Sequence, residues 1–281
     1  MWDCRVELET GNSTGYSATE SIQAVSERAT YRMPSLKQSV RNLGASFSAK
    51  ILRRRPPEIG QSALADMKRF VGANARPLML DVGANTGQTV KRFRKTFPAC
   101  IIHSFEPSQR IFGQLQANVA DKKEVFVWNV ALGSSVGKQT FLENTHSDMS
   151  SFLELSKTGW GKIEQKSTVE VWTVDQFLEE HQIGFVDVLK SDTQGYEFEV
   201  FKGAEQTMRR NGIGLLYFEF IFSDMYKNLT PFDKILRHLT DRGFLLVSIY
   251  ELRHQNNLAS WGDALFVNQE YYRRKTVQMK A

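Results

Sequence analysis

The chain has 281 residues, of which 41% are hydrophobic and 24% are charged, so it is long enough for one large α/β domain or two small ones. The 36 basic and 31 acidic residues give a net charge of +5, which is too small an excess to indicate nucleic-acid binding. Two cysteines, Cys4 and Cys100, fit neither a disulfide framework nor a metal cluster and favour a reducing, cytoplasmic location. No apolar run is long enough to span a membrane, so no membrane-spanning segment is expected.

Three regions are predicted along the chain. Residues 1–33 are polar and without a sustained period, which predicts a poorly ordered tail. Residues 34–76 are predicted to be a helical N-terminal extension, because apolar residues recur at three- and four-residue steps as far as Arg55, before Pro56 and Pro57. The three arginines at 53–55 could hold phosphate, but the preferred interpretation is that they form a solvated helix end. Residues 77–281 form the main domain.

Strands and helices alternate from residue 77 onward. The predicted strands are 77–80, 100–105, 124–130, 138–142, 169–172, 185–191, 214–220, 244–248 and 264–267. One predicted helix follows the loop at 81–88. The others run from 108 to 119, from 173 to about 184, from the turn after Asp192 through Met208, and from 230–231 to Gly243. This alternation predicts a doubly wound α/β fold, with a mostly parallel sheet and helices on both faces.

The stretch LDVGANTGQTV, residues 80–90, has the form of a first strand, a glycine turn and a helix. The dinucleotide fingerprint G-x-G-x-x-G is absent, because Asn85 stands at its second glycine. An Asn side chain would crowd a pyrophosphate against the turn. We therefore expect a ligand with a nucleoside but no diphosphate there. A nicotinamide-dependent oxidoreductase remains the nearest enzyme alternative.

Ligands of such sheets bind outside the carboxyl ends of the strands. The polar residues at those ends are Asp81, Glu106, Asn129, Asp192 and Glu219. Glu106 follows Asp81 by about 25 residues and ends the second strand, where a carboxylate accepts hydrogen bonds from ribose hydroxyls. Glu106 could alternatively partner the next helix, and Asp81 could cap a tight turn.

A second informative stretch, residues 188–197, has four polar or charged side chains at the end of a buried strand: Lys190, Asp192, Gln194 and Glu197. Buried charges need partners or a function. Asp192 is the strongest candidate for contacting the reacting groups.

Four separated motifs resemble the FkbM family of methyltransferases: LDVGANTGQ, SFEP, NVALG and LKSDTQGYEFEVFKGAE. The resemblance covers roughly residues 77–268. It implies a class I methyltransferase fold, a seven-stranded Rossmann-like sheet whose last strand is antiparallel. It also implies S-adenosylmethionine as the cofactor and O-methylation of a sugar, glycan or natural-product hydroxyl.

The resemblance also assigns site residues. It implies that the methionine part of the cofactor lies along Asp81, Gly83, Ala84, Asn85 and Gly87, and that Glu106 holds the ribose. The turn from Asn129 to Ala131 is expected near the adenine, and Asp192 is also expected to contact the cofactor. The family usually has Glu at the position of Gln194, so a non-catalytic protein that binds S-adenosylmethionine is a further alternative.

A base would assist a hydroxyl nucleophile, and the candidate catalytic residues are Asp192, Lys190, Glu219 and His146. Asp192 and Glu219 could alternatively hold a divalent cation, although no metal ligands are assigned. A nucleic-acid methyltransferase would suit the basic stretch 91–95, but the base-gripping motif N/D-P-P-Y/F is absent. The expected partner is a small-molecule or glycan acceptor, with no nucleic acid. The oligomeric state is not predicted.

Overall fold

The computed structural model describes residues 57–72 and 76–280. The tail predicted for residues 1–33 and the helix predicted to end at Arg55 lie outside the described residues. The first described helix, α1 (Ala63–Val71), lies within the helical extension predicted for residues 34–76, although the sequence pattern predicted a helix that ends at Arg55. Ser62 caps it by accepting a hydrogen bond from the Ala65 N–H at 3.4 Å.

The later elements alternate much as the sequence predicts. In chain order they are β1 (Leu78–Val82), α2 (Gln88–Thr96), β2 (Ile101–Phe105), α3 (Gln109–Val119), β3 (Val125–Trp128), β4 (Ala131–Leu132), β5 (Gly137–Asn144), β6 (Ile163–Trp172), α4 (Val174–Glu180), β7 (Val186–Ser191), α5 (Glu197–Lys202), α6 (Glu205–Arg209), β8 (Ile213–Ile221), α7 (Phe232–Thr240), β9 (Phe244–Gln255), β10 (Leu258–Asn268) and α8 (Gln269–Lys280).

Seven strands form the main sheet in the order β3-β2-β1-β7-β8-β10-β9. The first five strands in this order are parallel to one another, whereas β10 is antiparallel to both β8 and β9. This arrangement confirms the predicted mostly parallel seven-stranded sheet with an antiparallel last strand. The chain order switches direction between β1 and β7, so the loops that follow β1, β2 and β7 surround one crevice.

Alternate residues of the central strands face two separate cores. Leu80 and Leu189 pack on one face with buried residues of α4, α5, α6 and α7. Met79 and Val188 pack on the other face with buried residues of α1, α2 and α3. The helices therefore cover both faces, as the sequence predicts.

The segment that interrupts the alternation forms a small second sheet in the order β4-β6-β5. Strand β5 continues to Asn144 and β6 begins at Ile163, so the intervening loop is shorter than the sequence suggested. The loop contains a 3-10 turn at Ser147–Met149 and lies over the crevice of the main sheet.

Helix α1 belongs to the same folded unit as the sheet. Asp66 of α1 is fully buried and accepts hydrogen bonds from the Tyr250 hydroxyl of β9 and the Gly60 N–H, both at 2.8 Å. Arg69 forms an ion pair with the same carboxylate at 2.9 Å. The unit thus begins before the predicted boundary at residue 77. Within the described part of the chain, no helix has the length and apolar character needed to cross a membrane.

Candidate active site

The loop after β1 is held against the loops after β2 and β7. The N–H groups of Gly83 and Ala84 donate to the carbonyl oxygen of Phe105, at 3.1 and 3.0 Å. Gly83 has a φ of 74°, and a Cβ there would lie 1.9 Å from the carbonyl oxygen of Asp192. Only glycine lets the two loops approach this closely.

Glu106 lies at the end of β2 with both carboxylate oxygens directed at backbone donors. The Asn85 N–H donates to one oxygen at 3.0 Å and the Ser108 N–H donates to the other at 2.9 Å. Burial raises the pKa of Glu106 to about 7, although these two N–H groups and Lys190 oppose the shift. Glu106 is therefore a buried carboxylate whose charge changes near neutral pH.

Lys190 and Asp81 form a buried ion pair between β7 and β1. The Lys190 Nζ lies 3.0 Å from the Asp81 Oδ1 and donates to the Gly83 carbonyl oxygen at 2.9 Å. Burial would lower the pKa of Lys190, but the carboxylates of Asp81, Asp192 and Glu219 outweigh burial and raise it. Lys190 thus links β7 to the glycine loop through Asp81 and the Gly83 carbonyl oxygen.

Two carboxylates flank the end of β7, and a glutamine lies between them. The Gln194 Nε2 donates to the Asp192 Oδ1 at 3.1 Å and to the Glu219 Oε2 at 2.7 Å. The Tyr226 hydroxyl donates to the Gln194 Oε1 at 2.9 Å. Burial and the charge of Asp192 raise the pKa of Glu219 well above its ordinary value. Asp192 is the more accessible carboxylate, since 44% of its side chain is exposed.

A cavity of about 690 Å³ extends from the glycine loop to these carboxylates. Of the residues predicted from the sequence, its lining includes Gly83, Ala84, Asn85, Glu106, Ala131, His146, Lys190, Asp192 and Glu219. Phe105, Ile111, Leu132 and Phe141 supply an apolar wall. This volume and mixture of apolar and polar groups are typical of a small-molecule site.

A second cavity, of about 460 Å³, lies beside the first. Both cavities are lined by Thr89, Arg92, Lys190, Asp192 and Glu219, which together form a shared wall. The second cavity also contacts the start of α1 and carries Tyr217, Glu251 and Asp263. Asp192 and Glu219 can therefore be approached from either cavity.

Three predicted cofactor residues have internal contacts and do not line either of these cavities. Asp81 is completely buried against Lys190. At Gly87, the N-cap of α2, a Cβ would face Leu115 at 3.1 Å. The Asn129 amide donates to the carbonyl oxygens of Glu106 and Pro107, so Asn129 supports the loop that carries Glu106.

Several residues at the site were not identified from the sequence. Gln88, Thr89 and Arg92 line the first cavity from α2, and Ser147 lies 3.3 Å from the Asn85 amide nitrogen. Arg92 belongs to the basic stretch 91–95. Its charge was the only sequence signal, and charge does not tell a cavity-lining side chain from a solvent-exposed one. Trp160 also lines the first cavity, beside Trp261, with ring centroids 5.3 Å apart.

The described residues include no group of three or more His, Cys, Asp or Glu side chains arranged to hold a metal ion. Asp192 and Glu219, the pair considered for a divalent cation, instead share the Gln194 amide.

The comparisons with known proteins agree with the sequence motifs. The model of the methyltransferase FkbM domain matches residues 81–246. The 2-O-methyltransferase NoeI of Sinorhizobium fredii is 25% identical over 203 aligned residues, and the match covers 68% of this chain and 79% of NoeI. Similar solved structures include M. capricolum TrmK in complex with S-adenosyl-homocysteine, with 7% identity, a TM-score of 0.43 and coverage of 75% of this chain and 70% of TrmK.

Another is magnesium protoporphyrin IX methyltransferase of Synechocystis PCC 6803 with bound S-adenosylmethionine. It has 12% identity and a TM-score of 0.42, with coverage of 83% of this chain and 96% of that chain. The FkbM match spans more than half of the 281 residues, in agreement with the predicted family. The chain therefore belongs to the FkbM methyltransferase domain family.

Proposed function

We propose that the protein transfers a methyl group from S-adenosylmethionine to a hydroxyl group of a sugar, a glycan or a natural product. Family membership supports methyl transfer, and the similarity to NoeI, a 2-O-methyltransferase, supports oxygen as the atom that receives the methyl group. The observation that carries the proposal is the half-exposed Asp192 carboxylate on the wall shared by the two cavities.

The first cavity has the chemistry that the cofactor requires. Each Glu106 oxygen accepts one backbone N–H and has capacity left to accept a hydrogen bond from a ribose hydroxyl. The apolar wall of Phe105, Ile111, Leu132 and Phe141 suits a flat base. Gly83 keeps the loop free of side chains, so the backbone can lie close to the ligand.

When bound, S-adenosylmethionine would supply the electrophilic methyl group, with its thioether sulfur as the leaving group. Asp192 accepts the proton that the acceptor hydroxyl loses, and its exposure lets that proton pass on to water. Holding the hydroxyl in line with the methyl group contributes up to about 7–11 kcal/mol to lowering the barrier. Gln194 fixes the rotamer of Asp192 for this task.

The acceptor enters through the second cavity in this proposal. Its volume of about 460 Å³ suits one or two sugar rings, and its carboxylates can accept hydrogen bonds from neighbouring hydroxyls. Asp192 is then reached by cofactor from one side and by acceptor from the other. His146 lines the first cavity and is the alternative base. The cytoplasmic location stays a prediction from the cysteine content.

The test combines cofactor titration with methyl transfer to a panel of neutral methyl glycosides. We expect S-adenosylhomocysteine to bind and NAD not to bind, with the first affinity lost in Glu106→Ala. Asp192→Asn should lose at least 100-fold in transfer while its affinity for S-adenosylhomocysteine changes less than about threefold. Asp121→Asn, at an exposed carboxylate paired with Lys122, is the matched control. Full transfer by Asp192→Asn would contradict the assignment of the base.

A further inference from the structure

The side chain of Gln194 is the only group of the described residues that donates hydrogen bonds to both Asp192 and Glu219. Its Nε2 lies 3.1 Å from one carboxylate oxygen and 2.7 Å from the other. The amide oxygen on the opposite side accepts a hydrogen bond from the Tyr226 hydroxyl at 2.9 Å, so the donor side of the amide faces the two carboxyl groups and the acceptor side faces the tyrosine.

The backbone around Gln194 is built to hold this position. Gln194 has a φ of 56° and Gly195 a φ of 92°, so two consecutive residues adopt left-handed conformations. The Ser151 hydroxyl donates to the Gln194 carbonyl oxygen at 2.8 Å, and Tyr226 is 1% exposed. The amide is thus fixed from its backbone side and from its oxygen side.

Two carboxylates this close to one atom repel each other unless a donor or a cation lies between them. Lys190 does not occupy that position, since its Nζ is 3.0 Å from Asp81 and 3.7 Å from Asp192. Divalent cations bind carboxylate oxygens at about 2.0–2.6 Å, so a cation between Asp192 and Glu219 would have to displace the Gln194 nitrogen.

We propose that the Gln194 amide occupies the place between Asp192 and Glu219 that a divalent cation would otherwise take. Gln194 is then a positioning residue that makes methyl transfer independent of metal ions. This inference rests on the proposed function for its catalytic consequence, but the metal affinity it predicts does not depend on any acceptor. Replacing the amide by a carboxylate would bring three carboxylates together, which is a set of oxygen ligands suited to Mn²⁺ or Mg²⁺.

The experiment is a titration of the full chain with Mn²⁺, in which electron paramagnetic resonance measures the concentration of the free ion. We expect no binding below millimolar Mn²⁺ for the natural chain, and affinity at least tenfold higher for Gln194→Glu. Gln194→Met, of similar length and without charge, is the matched control and should gain no Mn²⁺ affinity. In both variants S-adenosylhomocysteine titration reports whether the fold and the first cavity are intact.

The catalytic consequence is measured with whichever neutral methyl glycoside accepts methyl groups. Transfer by the natural chain should be unchanged by EDTA, and Gln194→Glu should lose at least tenfold in kcat and recover part of it when Mn²⁺ is added. Micromolar Mn²⁺ binding by the natural chain, or transfer abolished by EDTA, would overturn the proposal. Failure of Gln194→Glu to gain Mn²⁺ affinity would overturn it as well. If no glycoside is methylated but Gln194→Glu still gains Mn²⁺ affinity, the result would count against the proposed function and not against the role of Gln194.

Discussion

The affinity for the cofactor should depend on pH through one carboxyl group, Glu106. Burial raises its pKa to about 7 in the protein without ligand. Ribose hydroxyls donate hydrogen bonds to a carboxylate, so binding favours the ionised form and should lower the pKa of Glu106. Affinity should therefore be nearly full at pH 8 and should fall as the pH drops through 7, because below that pH a proton must first be removed from Glu106.

The size of the pH effect follows from the raised pKa of Glu106. With a pKa of about 7, roughly nine tenths of the Glu106 carboxyls are ionised at pH 8 and roughly one tenth at pH 6. If the ionised form alone binds, Kd for S-adenosylhomocysteine rises about tenfold between pH 8 and pH 6, or about 1.4 kcal/mol. At pH 6.5 binding should also release roughly 0.8 proton.

Isothermal titration calorimetry measures both quantities when it is repeated in two buffers of different ionisation enthalpy. Glu106→Gln should bind more weakly and lose the pH dependence. Glu197→Gln is the matched control, because burial raises the pKa of Glu197 to about 7 as well. Glu197 does not line the first cavity, and its carboxylate accepts a hydrogen bond from the Thr193 N–H at 2.7 Å. A tenfold pH dependence that persists in Glu106→Gln would show that a group other than Glu106 causes it.

Three further substitutions test how the site is supported. Gly83→Ala places a Cβ against the Asp192 carbonyl oxygen and should weaken S-adenosylhomocysteine binding more than tenfold in calorimetry, whereas Gly113→Ala, with open space around it, should bind normally. Lys190→Met leaves the buried Asp81 without its ion-pair partner and should lower the free energy of unfolding in urea by about 3–5 kcal/mol, part of which a second substitution, Asp81→Asn, restores. Asp66→Ala removes the acceptor that joins α1 to β9 and should cost about 2–4 kcal/mol in the same assay; a change below about 0.5 kcal/mol would contradict the account of α1.

The order of strands and helices could be predicted because the main-sheet strands are short apolar runs separated by turn residues. The edge of the sheet was harder. Strands β9 and β10 extend well beyond the predicted ranges 244–248 and 264–267. Glu251, Arg253 and His254 on the exposed edge strand lack the alternation that marks a half-buried strand, so their sequence resembled a loop.

One predicted helix is divided in the structure. The sequence predicted a single helix through Met208, but α5 and α6 are separated at Gly203. A Cβ at Gly203 would lie 2.0 Å from the Gly133 carbonyl oxygen, so this glycine permits a close approach between two distant segments. Such an approach has no local sequence signal.

The candidate site was predictable where it depends on strand ends. Glu106 and Asp192 could be selected because each ends a strand of a parallel sheet, and the first cavity contains both. The partners of those residues could not be selected in this way. Tyr226 reaches Gln194 across 32 residues of sequence, and the second cavity combines α1 with β8, β9 and β10. These contacts depend on tertiary packing, which a single sequence does not record.

Methylation of a hydroxyl oxygen is the proposed activity of this chain. The most direct measurement is to supply S-adenosylmethionine with a deuterated methyl group together with neutral methyl glycosides, and to analyse the products by mass spectrometry and NMR. We expect an alkali-stable methyl ether at one hydroxyl of the sugar, formed by the natural chain and lost in Asp192→Asn. Label recovered on nitrogen, or transfer that is equal in Asp192→Asn, would contradict it.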